Sequence, residues 1–252
     1  MTNKILSEVK DGIGWIIYNN PARRNAVSLA MAAKVTEVVS EHNNNDDVRV
    51  VVVRGEGGKS FVAGQDISEF KELRSTPEGI ERYERITNGM YDGIRDCPKP
   101  VVAMIEGYCM GGGMAVACAC DIRICSDNSI FSIPAGRLGL GYRPRFTRWV
   151  VETVGGPTAK EILFSARRYD AAEALKIGLV NRVVKAGKSR SEAERLAREI
   201  AAFPQECMKA DRHSTINQWS FSMEEALQIE GKAAYSILER EAFAGAERFA
   251  LG

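Results

Sequence analysis

The 252-residue sequence holds only two histidines, His42 and His213, and no His, Cys, Asp or Glu cluster with metal-ligand spacing. No metal site is therefore expected, and both imidazoles read as surface groups. Charge of one sign is equally scarce: 34 Lys and Arg against 33 Asp and Glu leave a net +1. That balance presents no strong field to nucleic acid or to a membrane, so neither is expected as a partner. None of the six cysteines forms a CxxC pair, and five of them, Cys97, Cys109, Cys118, Cys120 and Cys125, share one apolar stretch. They are expected to be reduced and packed as small hydrophobes rather than paired or metal-bound. No apolar run reaches membrane-spanning length, and "MTNKILSEVKDG" has neither an apolar signal core nor an Arg/Ser-rich transit pattern. Cytoplasmic location is the expectation. Internal repeats and flexible linkers are absent from the sequence as well.

What is there is an ordinary soluble composition, 45% hydrophobic and 27% charged, in a chain long enough for a sizeable core. Asp11-Gly12 between "ILSEV" and "GWIIYNN" signals a hairpin. Ser28 reads as the N-cap of a helix to about residue 42. "VRVVVVRG", "PVVAMIE" and "DIRICS" read as strands buried on both faces. Helices are expected at 67–73 and 77–95, and another opens at Pro157. Asp170 and Glu173 form a capping box for a helix that Gly178 ends, and "LVNRVV" is a last short strand. From Ser189 the chain reads as helical, with Pro204 opening one helix and Ser222 capping another. Strand–helix alternation argues an α/β fold with parallel pairing, divided into a core over 1–190 and a helical region over 191–252. That tail is too short for a core of its own and must pack on the α/β part or on a neighbouring subunit.

The stretch "GYCMGGGMAVACACD", Gly107 to Asp121, places three glycines between a strand and a small-residue helix. It lacks the G-x-G-x-x-G spacing and following acid of a dinucleotide site. It also lacks the Lys-Ser/Thr of a P-loop, since Met114-Ala115 follow the glycines. Close helix–strand packing is one remaining role. The other is an oxyanion site, in which N–H groups at a helix N-terminus receive a polarised carbonyl oxygen. A second strand–Gly–helix turn, "SFVAGQDI", stands about 50 residues upstream and can supply the second donor.

In order along the chain stand "NNPARRNAVS", "SFVAGQDISEF", "KPVVAMIEGYCMGGGMAVACACDIRICSDNSIF", "LGLGY" and "GPTAKEILFSARRYDAAEALKIGLVNRVV". With these motifs the sequence resembles the crotonase superfamily, the enoyl-CoA hydratase/isomerase family, over essentially its whole length. The resemblance implies a superhelix of ββα units with a helical C-terminal trimerisation region, assembled as a homotrimer or a dimer of trimers. It implies an acyl-CoA thioester as substrate, with coenzyme A carried by that substrate and no separate cofactor. Position by position, it implies Ala63 and Gly112 as the two oxyanion N–H donors. Ala22, Arg23, Arg24 and Ala26 would line the CoA moiety, the arginines pairing with its phosphates. Solvated charges in a turn are the alternative for both arginines. Gly64, Gln65, Asp66 and Ile67 would curl around the ligand, with Asp66 equally readable as a helix N-cap. Gly111, Pro134, Ala135 and Arg137 complete the implied substrate site.

Where hydratases of this family carry two acid–base glutamates, this chain has Ala115 and Ala135. Alanine moves no proton, and proton transfer contributes about 10²–10⁴ in rate. Tyr142 is the candidate replacement, because "FSIPAGRLGLGY" resembles the stretch of methylmalonyl-CoA decarboxylase that bears a pocket tyrosine. The match is partial, since that enzyme has a histidine at Gln65 and a glutamate at Ala115. Arg137, Arg143 and Arg145 can hold a substrate carboxylate or simply face water. Glu106 reads as a strand-end residue. The expectation is a lyase, decarboxylase or weak hydratase/isomerase. An acyl-CoA-binding pseudoenzyme is the alternative. An RNA-binding role wants a lysine-rich first helix, and "SLAMAAKVTEVVSEHNN" has one lysine.

Overall fold

The computed structural model describes residues 3–217, 221–225, 227, 228 and 247. Asp11 and Gly12, at φ 53° and 78°, supply the left-handed pair that a two-residue hairpin needs. They join β1 (Ile5–Lys10) to β2 (Ile13–Tyr18). Ser28 Oγ accepts from Met31 N–H at 3.3 Å and starts α1 (Leu29–Asn43). The valine run becomes β3 (Val50–Gly55), whose four valines are at most 2% exposed, as cover on both faces requires.

Next come β4 (Ser60–Val62), a 3₁₀ turn at Ile67–Glu69, α2 (Phe70–Leu73) and α3 (Pro77–Arg95), capped by Thr76. They are followed by β5 (Val101–Ile105), β6 (Tyr108–Met110) and α4 (Gly112–Ala119). Then come β7 (Ile122–Ser126), β8 (Ile130–Ser132), α5 (Pro144–Val154) and α6 (Gly156–Ser165). β9 (Tyr169–Asp170) leads through the capping box of Asp170 and Glu173 into α7 (Ala171–Lys176). Last among the described elements are β10 (Arg182–Val184), α8 (Ser189–Ala202) and α9 (Gln205–Asn217).

The long strands form a sheet in the order β1-β2-β3-β5-β7-β10, parallel except at the hairpin. The short strands form a second sheet, β4-β6-β8-β9. Long strand, short strand and helix recur as β3–β4–α3, β5–β6–α4 and β7–β8–α5, the ββα units of the crotonase fold. One core fills the space between the sheets and α1, α3, α4 and α5. The other face of the long sheet, with Trp15, Val50, Val52, Val102 and Met104, is closed by Ala193, Leu196, Ala197 and Ala201 of α8. The first helix of the 191–252 region thus shares the core of the α/β part. Most of that region after Asn217 lies outside the described residues, although Ser222 and Glu225 exchange the two bonds of a capping box. Among the described residues, no helix is long and apolar enough to cross a membrane. Cys97, Cys109, Cys118, Cys120 and Cys125 are buried free thiols, and burial pushes each of them up.

His42 corrects an expectation. It ends α1 but is 2% exposed, because that end of the helix rests on β2. A Cβ on Gly14 would come within 3.0 Å of the imidazole, so the glycine makes room for it. Nε2 lies 3.2 Å from the Trp15 carbonyl, which fits a neutral ring donating there. Burial, helped by Lys99, lowers its pKa below the usual value; the Trp15 carbonyl and Glu41 only partly oppose this. The unfolded chain therefore binds a proton more readily than the folded one. The contribution is fully present above about pH 6.5 and is lost as the pH falls through the folded pKa. Thermal melts are expected to show a drop in Tm from pH 7.5 to 5.5 that shrinks in His42→Gln. An equal drop in both proteins would assign the acid sensitivity elsewhere.

Candidate active site

Two loops meet where β4 and β6 end. After β4, Gly64 adopts φ +108°, a conformation L side chains rarely take. Its Cα faces the glycine turn so closely that a Cβ would lie 3.3 Å from Met110 O and 3.5 Å from Gly112 N. The loop is held from behind by the segment around Val27. Val27 N–H donates to Gly64 O at 2.8 Å, and Asp66 N–H donates to Val27 O at 2.9 Å. In parallel pairing the residue between those two bonds turns its own N–H to the other side. That residue is Gln65.

The second loop follows β6. Gly111, at φ 51°, turns the chain into α4, whose first residue is Gly112. A first helical residue has no intrahelical acceptor for its N–H, and the helix N-terminus carries partial positive charge. A Cβ on Gly112 would lie 3.5 Å from Gln65 N and 2.6 Å from Tyr91 Oη. The amides of Gln65 and Gly112 therefore share one gap, with a phenolic hydroxyl over it.

This arrangement corrects the expected donor pair. Ala63 N–H is donated to Arg24 O at 3.1 Å, because Arg24 and Asn25 are left-handed and turn that carbonyl onto the loop. Ala63 lines the cavity, but its N–H is occupied. The donor facing Gly112 is two residues further on.

The cavity in front of these amides has a volume of about 200 Å³. Of the residues expected in the site, it gathers Ala63, Gly64, Gln65, Ile67, Gly111, Gly112, Pro134, Ala135 and Tyr142. Ala115 is fully buried behind the turn and does not line it. Asp66 is the N-cap of the 3₁₀ turn, accepting from Ser68 N–H at 3.1 Å, and it pairs with Arg23 at 3.1 Å. Partial burial raises its pKa, but the bonds from Ser68 and Arg23 outweigh this and hold the carboxyl below its usual value. Ala22 is exposed in the turn that carries Arg23, Ala26 is half-buried just after it, and Arg24 stands 5.1 Å from the Tyr108 ring centroid.

The downstream arginines separate. Arg143 lines the cavity but is tied to α3, at 2.8 Å from Asn88 Oδ1 and 3.3 Å from Glu84 Oε1. Arg145 pairs with Asp92 at 2.7 Å, and Arg137 is exposed outside the cavity. Glu106 is not in the lining either.

Three lining residues were neither singled out from the sequence nor part of its quoted motifs: Arg74, Tyr91 and Phe146. Tyr91 shares the buried face of α3 with Tyr83, two turns away, and that spacing was the available signal. Tyr142 donates its hydroxyl to Gly111 O at 3.0 Å and packs 5.7 Å from the Phe146 ring. Burial pushes the phenols of Tyr142 and Tyr91 well up, so both carry their proton at neutral pH. No carboxylate, histidine or lysine is among the residues lining this cavity. Among the described residues, no group of His, Cys, Asp or Glu could hold a metal ion.

A larger depression of about 450 Å³ lies at the opposite, C-terminal end of α4. Four of its six charged side chains pair with each other, Arg95 with Glu152 and Arg212 with Asp121, each at 2.7 Å. It offers no unpaired donor at a helix N-terminus and is the weaker candidate.

Nested ββα units, with two loops meeting at the N-terminus of α4, define the class as an α/β protein of stacked ββα repeats. The sequence profile described as enoyl-CoA hydratase/isomerase matches residues 8–250, and the chain belongs to that family, the crotonase superfamily. It is 34% identical to the short-chain-enoyl-CoA hydratase of Clostridium acetobutylicum, over 92% of this chain and 88% of that one. It is 30% identical to the crotonyl-CoA hydratase of Syntrophomonas wolfei, over 91% and 87%. Among solved structures, an enoyl-CoA hydratase/isomerase family protein of Hyphomonas neptunium superposes with a TM-score of 0.92 at 32% identity. The match covers 98% of this chain and 94% of that one.

Proposed function

We propose that this protein acts on a coenzyme A thioester and holds its carbonyl oxygen between the N–H groups of Gln65 and Gly112. One observation carries the reading: two peptide N–H groups converge on one gap at the N-terminus of α4. Donors so placed stabilise the charge that grows on oxygen as a thioester becomes an enolate, commonly the largest single catalytic contribution. Family membership supports the thioester. In this reading the loop of Gly64 to Ile67 contacts the ligand. Ala22, Arg23, Arg24 and Ala26 line the CoA moiety at the surface. Assembly as a homotrimer or dimer of trimers belongs to the same reading, supported by exposed apolar side chains such as Phe164.

The lining supplies no carboxylate, so addition of water by a glutamate pair has no acid–base couple here. The chemistry that remains forms or protonates an enolate without a strong base: a lyase, a decarboxylase, or a slow hydratase/isomerase. Tyr142, kept protonated by burial, is the proton donor in this scheme. A second reading, thioester binding without turnover, is favoured by the engagement of that same hydroxyl with Gly111 O. Incubation with enoyl-, 3-hydroxyacyl- and malonyl-type CoA esters separates the two. Conversion of any ester supports the enzyme, binding without conversion supports the second reading, and absence of binding overturns both. For a converted ester, Tyr142→Phe is expected to lower kcat roughly 10²-fold with KM little changed. An unchanged kcat would remove Tyr142 from the mechanism.

A further inference from the structure

Arg74 follows α2 and closes that helix by donating its backbone N–H to Phe70 O. Its side chain is half-buried and lines the same cavity as Gln65 and Gly112. The guanidinium carbon lies 4.9 Å from the Phe70 ring centroid and 5.5 Å from that of Tyr83. Those rings are themselves in edge contact, 5.8 Å apart, and they hold the cation in place. They accept none of its five N–H donors in the ordinary sense.

Other buried or half-buried arginines have oxygen acceptors. Arg95 has Glu152, Arg123 has the carbonyls of Leu179 and Cys120, Arg143 has Glu84 and Asn88, and Arg212 has Asp121. Among the described residues, Arg74 is the one half-buried or buried arginine whose side chain meets no acceptor and no carboxylate. Nor does its cavity contain an acidic side chain to balance it. The N-terminus of α4 adds to the same positive potential.

A neutral acyl chain would leave this half-buried fork facing hydrocarbon, which is unfavourable for a charged donor. A carboxylate matches it in charge and in bidentate geometry. At about 200 Å³ the cavity suits a short acyl group rather than a long chain. We propose that the acyl group of the bound thioester carries a second, terminal carboxylate and that Arg74 is the residue that selects it. The inference rests on the thioester reading above and adds the substrate class, a short dicarboxylyl-CoA.

Succinyl-CoA and butyryl-CoA share a four-carbon acyl chain and differ in the terminal carboxylate, so they form the test pair. Calorimetric titration of the full chain with each ester, and with free CoA, is expected to show succinyl-CoA bound roughly tenfold or more tighter than butyryl-CoA. In Arg74→Gln that preference disappears while affinity for free CoA and butyryl-CoA is unchanged; Arg74→Lys restores part of it. Butyryl-CoA binding as tightly as succinyl-CoA to the wild-type protein overturns the proposal, and that comparison needs no variant to fold. Equal weakening of all three ligands in Arg74→Gln also overturns it, by assigning Arg74 to the CoA phosphates. Failure of every ligand to bind the wild-type chain overturns the thioester reading itself, a different result from butyryl-CoA binding as well as succinyl-CoA.

Discussion

Gly112→Pro is expected to lower turnover of a converted thioester by about 10²–10³-fold, the usual cost of removing one oxyanion donor. Proline is tolerated at a first helical position, and Gly112 is that position of α4, so the helix itself does not forbid the change. The variant carries a second effect, because any Cβ there comes within 2.6 Å of Tyr91 Oη. Gly112→Ala separates the two, adding the same carbon while keeping the N–H. The proline variant is expected to fall well below the alanine one, and the difference reports the donor. Equal activities of a folded proline variant and of wild type would sink the assignment.

Gly113→Ala, one residue later, is expected to damage the fold rather than the chemistry. A Cβ at Gly113 would stand 2.0 Å from the carbonyl oxygen of Val62 and 2.9 Å from its carbonyl carbon. Both are backbone atoms of β4 and cannot rotate away. α4 and β4 would have to separate, with Val62 and Met114 of the core cluster moving with them. Overpacking of this kind costs about 3 kcal/mol or more. For a chain of this size that is a Tm loss of roughly 6–12 °C, or loss of soluble protein. A denaturant midpoint within error of wild type would show that the two elements part more easily than their contact implies.

The three consecutive glycines of "GYCMGGGM" therefore do three different things. Gly111 takes a left-handed turn, Gly112 presents an N–H and leaves space for Tyr91, and Gly113 lets a helix touch a strand. The sequence offered packing and an oxyanion site as alternatives; Gly113 takes the first, and the proposed function gives Gly112 the second, at the adjacent residue.

Local chemistry was legible directly. The Asp11-Gly12 hairpin, the Ser28 cap, both ends of α3 and the Asp170–Glu173 box follow from bonds between residues two to four apart. The second sheet was not legible. Its strands at 60–62, 108–110 and 130–132 are three residues long and carry no periodicity. Their pairing is decided by partners about 20 to 50 residues away. Tertiary contact also decided which loop amide is free: Arg24 takes Ala63 N–H, a bond across 39 positions that leaves Gln65 to face Gly112. The same holds for His42, buried against β2, and for Arg74, which the string "ELRST" presents as one more surface charge.

By itself the sequence determined the family, most of the helices and some of their caps, the long strands, and the absence of both expected glutamates, because each is written in adjacent residues or in motif order. Only the tertiary structure decided which amides meet and which half-buried arginine, among the described residues, meets no oxygen acceptor. A hydrogen bond is claimed by whichever group arrives there in space, and the residues that arrive at this cavity come from α2, α3, α5 and three loops far apart in the chain.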